Sequence, residues 1–147
     1  MKAPRATLLP MIVLALLTPC FAHHIAVVVN QQNKVGKLTS FQLAKIIRSE
    51  TRTWPDGQPI VIALHEDSPG ELSTLEHLLK LSSQDCKALI AAHKDSIRLA
   101  TSDQDVLQTV KSNPGAIGFV EVHSIDGSVN LLSIDGKLPM EAGYLSH

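Results

Sequence analysis

A chain of 147 residues with 13 basic and 14 acidic side chains carries almost no net charge. That excludes a partner held by bulk positive charge, such as nucleic acid or an anionic membrane surface. The length suits one ordinary domain with a real core.

The first segment reads as a secretory leader. Lys2 and Arg5 form a basic start, Leu8 to Leu17 an apolar run, and Thr18 to Ala22 an exit to a cleavage site. The apolar run is too short to span a bilayer, so the reading is a signal peptide over 1–22, with residues 23–147 as the mature domain. Cys20 after Pro19 fits a lipoprotein site poorly. Removal of Lys2 and Arg5 leaves 11 basic against 14 acidic groups, a net charge of −3. Cys86 is then the single cysteine, and its place in an apolar helical pattern predicts a buried thiol.

The mature chain alternates strands and helices. Ile25 to Val29 is apolar and nearly all β-branched, a buried strand that ends in the polar loop Asn30 to Asn33. Thr39 stands three residues before Gln42, the spacing of a capping box, and opens a helix through Ile47 whose Phe41, Ala44 and Ile47 share a packed face. Trp54-Pro55-Asp56-Gly57 is a turn, with Trp54 packing rather than presenting a stacking platform, and Ile60 to Leu64 a second buried strand.

Ser68-Pro69-Gly70-Glu71 has the residues of a helix start. Serine suits the N-cap and proline the first helical position, and Glu71 can reach back to the amide of the cap. Leu72, Leu75 and Leu79 form the apolar stripe. Ser82 to Lys94 repeats the device, with Cys86, Leu89, Ile90 and His93 at helical spacing. Ile97 to Ala100 is a short strand. Thr101, three residues before Gln104, caps a helix carrying Val106, Leu107 and Val110, which Asn113-Pro114-Gly115 stops. Ala116 to Val120 is the central buried strand, and glycines on both sides of Ile117 predict a close neighbouring backbone. After Val120 the chain reads as a strand pair, with Val129 to Leu132 flanked by Asp126-Gly127 and Asp135-Gly136 turns. Met140 to His147 has no clear pattern and reads as loose. The alternation predicts an α/β fold with a mixed sheet flanked by helices.

Ile25-Ala26-Val27-Val28-Val29-Asn30, Leu38 to Ile47, Trp54-Pro55-Asp56-Gly57-Gln58-Pro59-Ile60 and Asn113-Pro114-Gly115-Ala116-Ile117-Gly118-Phe119 occur in that order. This series resembles the periplasmic phosphate-binding proteins of ABC transporters, particularly their short, single-lobe members, over about residues 25 to 135. The resemblance implies one lobe of a type II periplasmic-binding-protein fold, matching the second of two lobes that close on an anion. It also implies a periplasmic location. In that lobe the family holds phosphate with an Arg-x-Asp-Gly-Ser-Gly-Thr-like stretch at a helix start. Here the stretch reads His65-Glu66-Asp67-Ser68-Pro69-Gly70-Glu71, with His65 where the arginine stands. The first helix ends in Ile47-Arg48-Ser49-Glu50, where a Phe-x-Gly-Lys-like ending is usual.

Helix starts attract anions through free amides and the positive end of the dipole. The anion-binding candidates are therefore Ser68, Gly70, Thr101 and Ser102, for which the plain alternative is that the two hydroxyl residues are only caps. Glu71, Asp103 and Asp105 in the first turns would oppose phosphate. No nucleophile-and-base motif supports an enzyme, and His65, Glu66 and Asp67 are too close in sequence to be expected to converge on one substrate. His65, His77, His93, His123 and His147 are scattered, and no metal cluster or cofactor is expected, although His23 and His24 beside a free amino group could chelate copper. Two functions remain. One is a solute-binding-like protein for a small phosphate-like anion, working with an inner-membrane transporter. The other is a periplasmic adaptor or sensor module that meets a membrane protein through the former cleft face, for which a large apolar patch beside Ser68 would argue. A homodimer through that face would rebuild a two-sided cleft.

Overall fold

The computed structural model describes residues 24–146. The leader reading, His23 and His147 lie outside the described residues. Five strands form one mixed sheet: β1 (Ile25–Asn30), β3 (Val61–His65), β4 (Ile97–Ala100), β5 (Ala116–Glu121) and β6 (Val129–Leu131). Their order is β4-β3-β5-β1-β6, with β3 parallel to both neighbours and β1 antiparallel to β5 and β6. A separate parallel pair joins β2 (Lys37–Leu38) to β7 (Ser133–Ile134).

Helices cover both faces, which explains why the central strands are apolar without alternation. α1 (Ser40–Ile47), α2 (Pro69–Leu79) and α3 (Ser83–Ala92) share one core with Val27, Val29, Ile62, Leu64, Ile117 and Phe119. α4 (Asp103–Ser112) packs on the other face through Val106, Leu107 and Val110 against Val28, Ala63, Ala100 and Val120. Phe119 is fully buried, a placement that stabilises the fold by about 2–3 kcal/mol. The α/β reading and the mixed sheet stand.

Local signals account for most boundaries. Thr39 and Gln42 form both halves of the capping box. Ser68 caps α2 with Pro69 at its first position, and Ser82 caps α3. Gly115 leaves room for a chain passing close by, since a Cβ there would lie 2.0 Å from the Pro59 carbonyl oxygen. At Gly118 the close neighbours are instead the α4 side chains of Val106 and Val110. Cys86 is buried, and burial pushes its thiol pKa up.

Four expectations change. Phe41 is exposed, with the Lys45 ammonium 5.5 Å from its ring centre, and α1 buries Leu43 and Ile46 beside the expected Ala44 and Ile47. The α4 cap is Ser102 rather than Thr101: Ser102 Oγ accepts from the Asp105 amide at 3.1 Å. Residue 102 is one position nearer, and its hydroxyl already meets the third amide of the helix. β6 pairs with β1 and not with the preceding strand, from which a 3-10 turn at Val122–Ser124 separates it. The C-terminal segment is anchored: Tyr144 and Leu145 are buried, and Tyr144 Oη accepts from the Val27 amide at 3.0 Å and donates to the Leu132 carbonyl at 3.2 Å.

Candidate functional site

The parallel strands β4, β3 and β5 all end at the same edge of the sheet, and α2 and α4 begin there. The Glu66 amide donates to the Ala100 carbonyl at 3.0 Å, which holds the two strand-to-helix turns side by side. Ser68 lies on the first turn, with Gly70 just inside α2, and Thr101 and Ser102 lie on the second, at the edge where α/β sheets tend to take ligands.

The two cap hydroxyls are committed as acceptors to their own helices. Ser68 is buried and its Oγ accepts from the Glu71 amide at 3.3 Å, as Ser102 does from Asp105. The Thr101 amide donates to Asp105 Oδ2 at 3.2 Å.

Between these turns lies a cluster that sequence spacing did not reveal. His65, Glu71 and Asp103 each offer one potential ligand atom, and these atoms lie within 4.8 Å of one another. His65 Nδ1 donates to Asp103 Oδ1 at 3.1 Å. Asp103 Oδ2 accepts from the Glu121 amide at 3.0 Å and from Ser124 Oγ at 2.7 Å. An aspartate side chain therefore already sits at the start of α4 with three donors upon it. Of the trio His65, Glu66 and Asp67, only His65 enters the cluster.

Glu71 does not reach back to the cap. Its Oε1 accepts from the His65 amide at 2.9 Å. The side chain is 2% exposed, and Oε2 is buried with no hydrogen-bond partner among the described residues. Burial, aided by the nearby Asp103 charge and opposed by the His65 amide, pushes its carboxyl up to about 9. Glu71 is thus neutral at physiological pH, and the expected repulsion of an anion by its charge does not hold. Asp103 and the exposed Asp105 remain as opposing groups.

A half-open cavity of about 510 Å³ adjoins this edge. Leu72, Leu75 and Ile97 line it with Glu71, and Lys87 and Lys94 also line it. At the same edge the His24 carbonyl accepts from the Val122 amide at 2.8 Å, and His123 Nε2 lies 3.2 Å from Glu121 Oε2. No helix among the described residues is long and apolar enough to cross a membrane.

A family model described as a PBP superfamily domain matches residues 16–136. No curated protein matches the chain. Among solved structures, an ABC-type phosphate transport receptor from Vibrio cholerae is similar at 24% identity and a TM-score of 0.63, covering 79% of this chain and 48% of its own. A Clostridium perfringens protein crystallised with bound phosphate is similar at 22% identity and a TM-score of 0.64, covering 77% of this chain and 45% of its own. PstS from Borrelia burgdorferi is similar at 19% identity and a TM-score of 0.57, covering 79% and 49%. At these identities the likeness is one of fold, and the chain spans about half the length of the structures that it matches.

Proposed function

The chain belongs to the PBP superfamily domain family, and from that premise we propose that it is a periplasmic solute-binding-like module that offers the edge where α2 and α4 begin to a small phosphate-like anion. The observation that carries this reading is the Asp103 side chain, which takes three hydrogen bonds at the junction of two helix starts. A place that draws donors onto an internal carboxylate is electrostatically suited to an external anion. The Gly70 amide and the first amides of α4 would face the ligand, with the Ser68, Thr101 and Ser102 hydroxyls as further donors. Neutral Glu71 removes one source of repulsion.

Asp103 carries a negative charge at the same junction, so wild-type affinity for phosphate is weak on this reading, in roughly the millimolar range. Asp103→Asn removes that charge and tightens binding. Calorimetric titration of both proteins with phosphate at low salt tests it, and no binding by either would reject the anion site.

A second reading has its own observation. The largely apolar cavity beside Glu66 and Asp67 supports an adaptor or sensor module that docks a membrane protein at this face, since such apolar surface favours protein contact. An inner-membrane transporter and a second copy of the chain are the partners proposed for the two readings. Light scattering that shows a strict monomer at high concentration would remove the second copy.

A further inference from the structure

We propose that His65, Glu71 and Asp103 form a binding site for a divalent transition-metal ion of the zinc class. One nitrogen and two carboxylate donors suit zinc and its neighbours rather than calcium or magnesium, which prefer six or more oxygens.

The three side chains already converge. All three ligand atoms lie within 4.8 Å of one another. The 3.1 Å separation of His65 Nδ1 and Asp103 Oδ1 is near the donor–donor edge of about 3.4 Å expected in a tetrahedral zinc site. A cation there replaces the proton that the two side chains share. His65 then carries its proton on Nε2, and Glu71 enters as a carboxylate by releasing a proton.

The independent sign of a ligand is Glu71. It is 2% exposed, its Oε1 is fixed by the His65 amide, and its Oε2 finds no partner among the described residues. A buried carboxyl oxygen left in that state is costly, and a cation would satisfy it. Supporting contacts are also in place. The Glu121 amide and Ser124 Oγ hold Asp103 Oδ2, which leaves Oδ1 on the side of His65. Such outer contacts orient metal ligands in general. The His65 and Asp103 side chains are 23% and 14% exposed, so the cluster is open to solvent on one side. The two helix starts oppose a cation, and two carboxylates converging on one point outweigh them.

The site does not depend on phosphate binding and is tested without it. Zinc chloride titrated calorimetrically into the full chain, in a non-coordinating buffer free of phosphate, should bind one ion per chain in about the micromolar range or tighter. Cobalt(II) should give the intense visible band of a tetrahedral site. His65→Ala and Glu71→Gln should each weaken zinc binding by about tenfold or more and abolish the cobalt band. Glu71→Gln keeps the oxygen that receives the His65 amide, so it remains folded if the alanine variant does not. His23→Ala with His24→Ala should change neither readout. The proposal is overturned if no zinc binds, if Glu71→Gln binds like the wild type, or if loss of His23 and His24 removes the binding.

Discussion

The two ends of the sheet handle buried polar groups differently. Where β5 begins, polar side chains hold the structure together. Trp54 Nε1 donates to the Gly115 carbonyl at 2.9 Å. Asn30 Nδ2 donates to the Val110 and Lys111 carbonyls at 2.8 and 2.9 Å, closing the end of α4, while its Oδ1 accepts from the Gln32 amide at 2.8 Å. One neutral amide nitrogen near this end, Asn33 Nδ2, lacks a partner among the described residues. Where β3 and β4 finish, Glu71 is buried with its carboxyl pKa pushed up to about 9, and one of its oxygens has no partner among the described residues. Asn33 apart, the polar groups of the first end lower the energy of the fold. The second raises it, by about 1–3 kcal/mol for the orphan oxygen alone. Polar groups that stabilise nothing in the free chain are the ones to examine for binding.

The largest expected effect of a single substitution falls at Gly115, at the stabilising end. An alanine Cβ would sit 2.0 Å from the Pro59 carbonyl oxygen, a backbone atom that no side-chain rotation can move. Gly115→Ala should cost about 3 kcal/mol or more, or prevent folding. Urea unfolding checks it, and wild-type stability would mean that the two segments separate freely.

Next in size is the effect of pH on Glu71. Its folded pKa of about 9 stands above the ordinary 4.5. Between those values the folded state holds a proton that the unfolded state has lost, so stability falls as pH rises through the window. By neutral pH the loss is on the order of 3 kcal/mol. Glu71→Gln abolishes this slope and should leave the chelator-treated protein more stable than the wild type at about pH 8, with the two converging near about pH 5. Parallel pH profiles for the two proteins would show that Glu71 is ionised in the fold. A substitution that stabilises the chain and weakens zinc binding would separate the two ends of the sheet by function.

Much of this architecture was legible because its causes are local. Thr39 with Gln42, and Ser68 with Pro69, act over one helical turn, and the apolar runs of β1 and β5 need only burial. The Glu71 partner was not legible. A carboxylate at that position can reach the cap amide or the preceding strand, and tertiary burial favours the His65 amide. Periodicity placed Phe41 on a packed face because it counts apolar positions without knowing what lies opposite them. Tyr144 lies 117 residues from the amide that it receives, beyond any local pattern. The same holds for His65 and Asp103, 38 residues apart. One signal could have found them: each stands where a strand of the parallel pair gives way to its helix, so adjacency of β3 and β4 brings them together.

Two smaller substitutions at the opposite end sharpen the contrast. Asn30→Ala strips two carbonyls at the end of α4 and one loop amide of their partner and should cost about 2 kcal/mol, with zinc affinity unchanged. Trp54→Phe should cost less. It removes the indole N–H and keeps an aromatic ring in the same pocket, and the Gly115 carbonyl still accepts from the Val61 amide at 3.2 Å. No buried acceptor is orphaned, so the loss is about 1 kcal/mol, that of one net hydrogen bond with a small void. A loss as large as that of Asn30→Ala would mean that the indole, rather than the backbone contact between β3 and β5, holds this end closed. If Trp54→Phe instead altered zinc affinity, the two ends would be coupled through β5, and the division between a stabilising end and a binding end would fail.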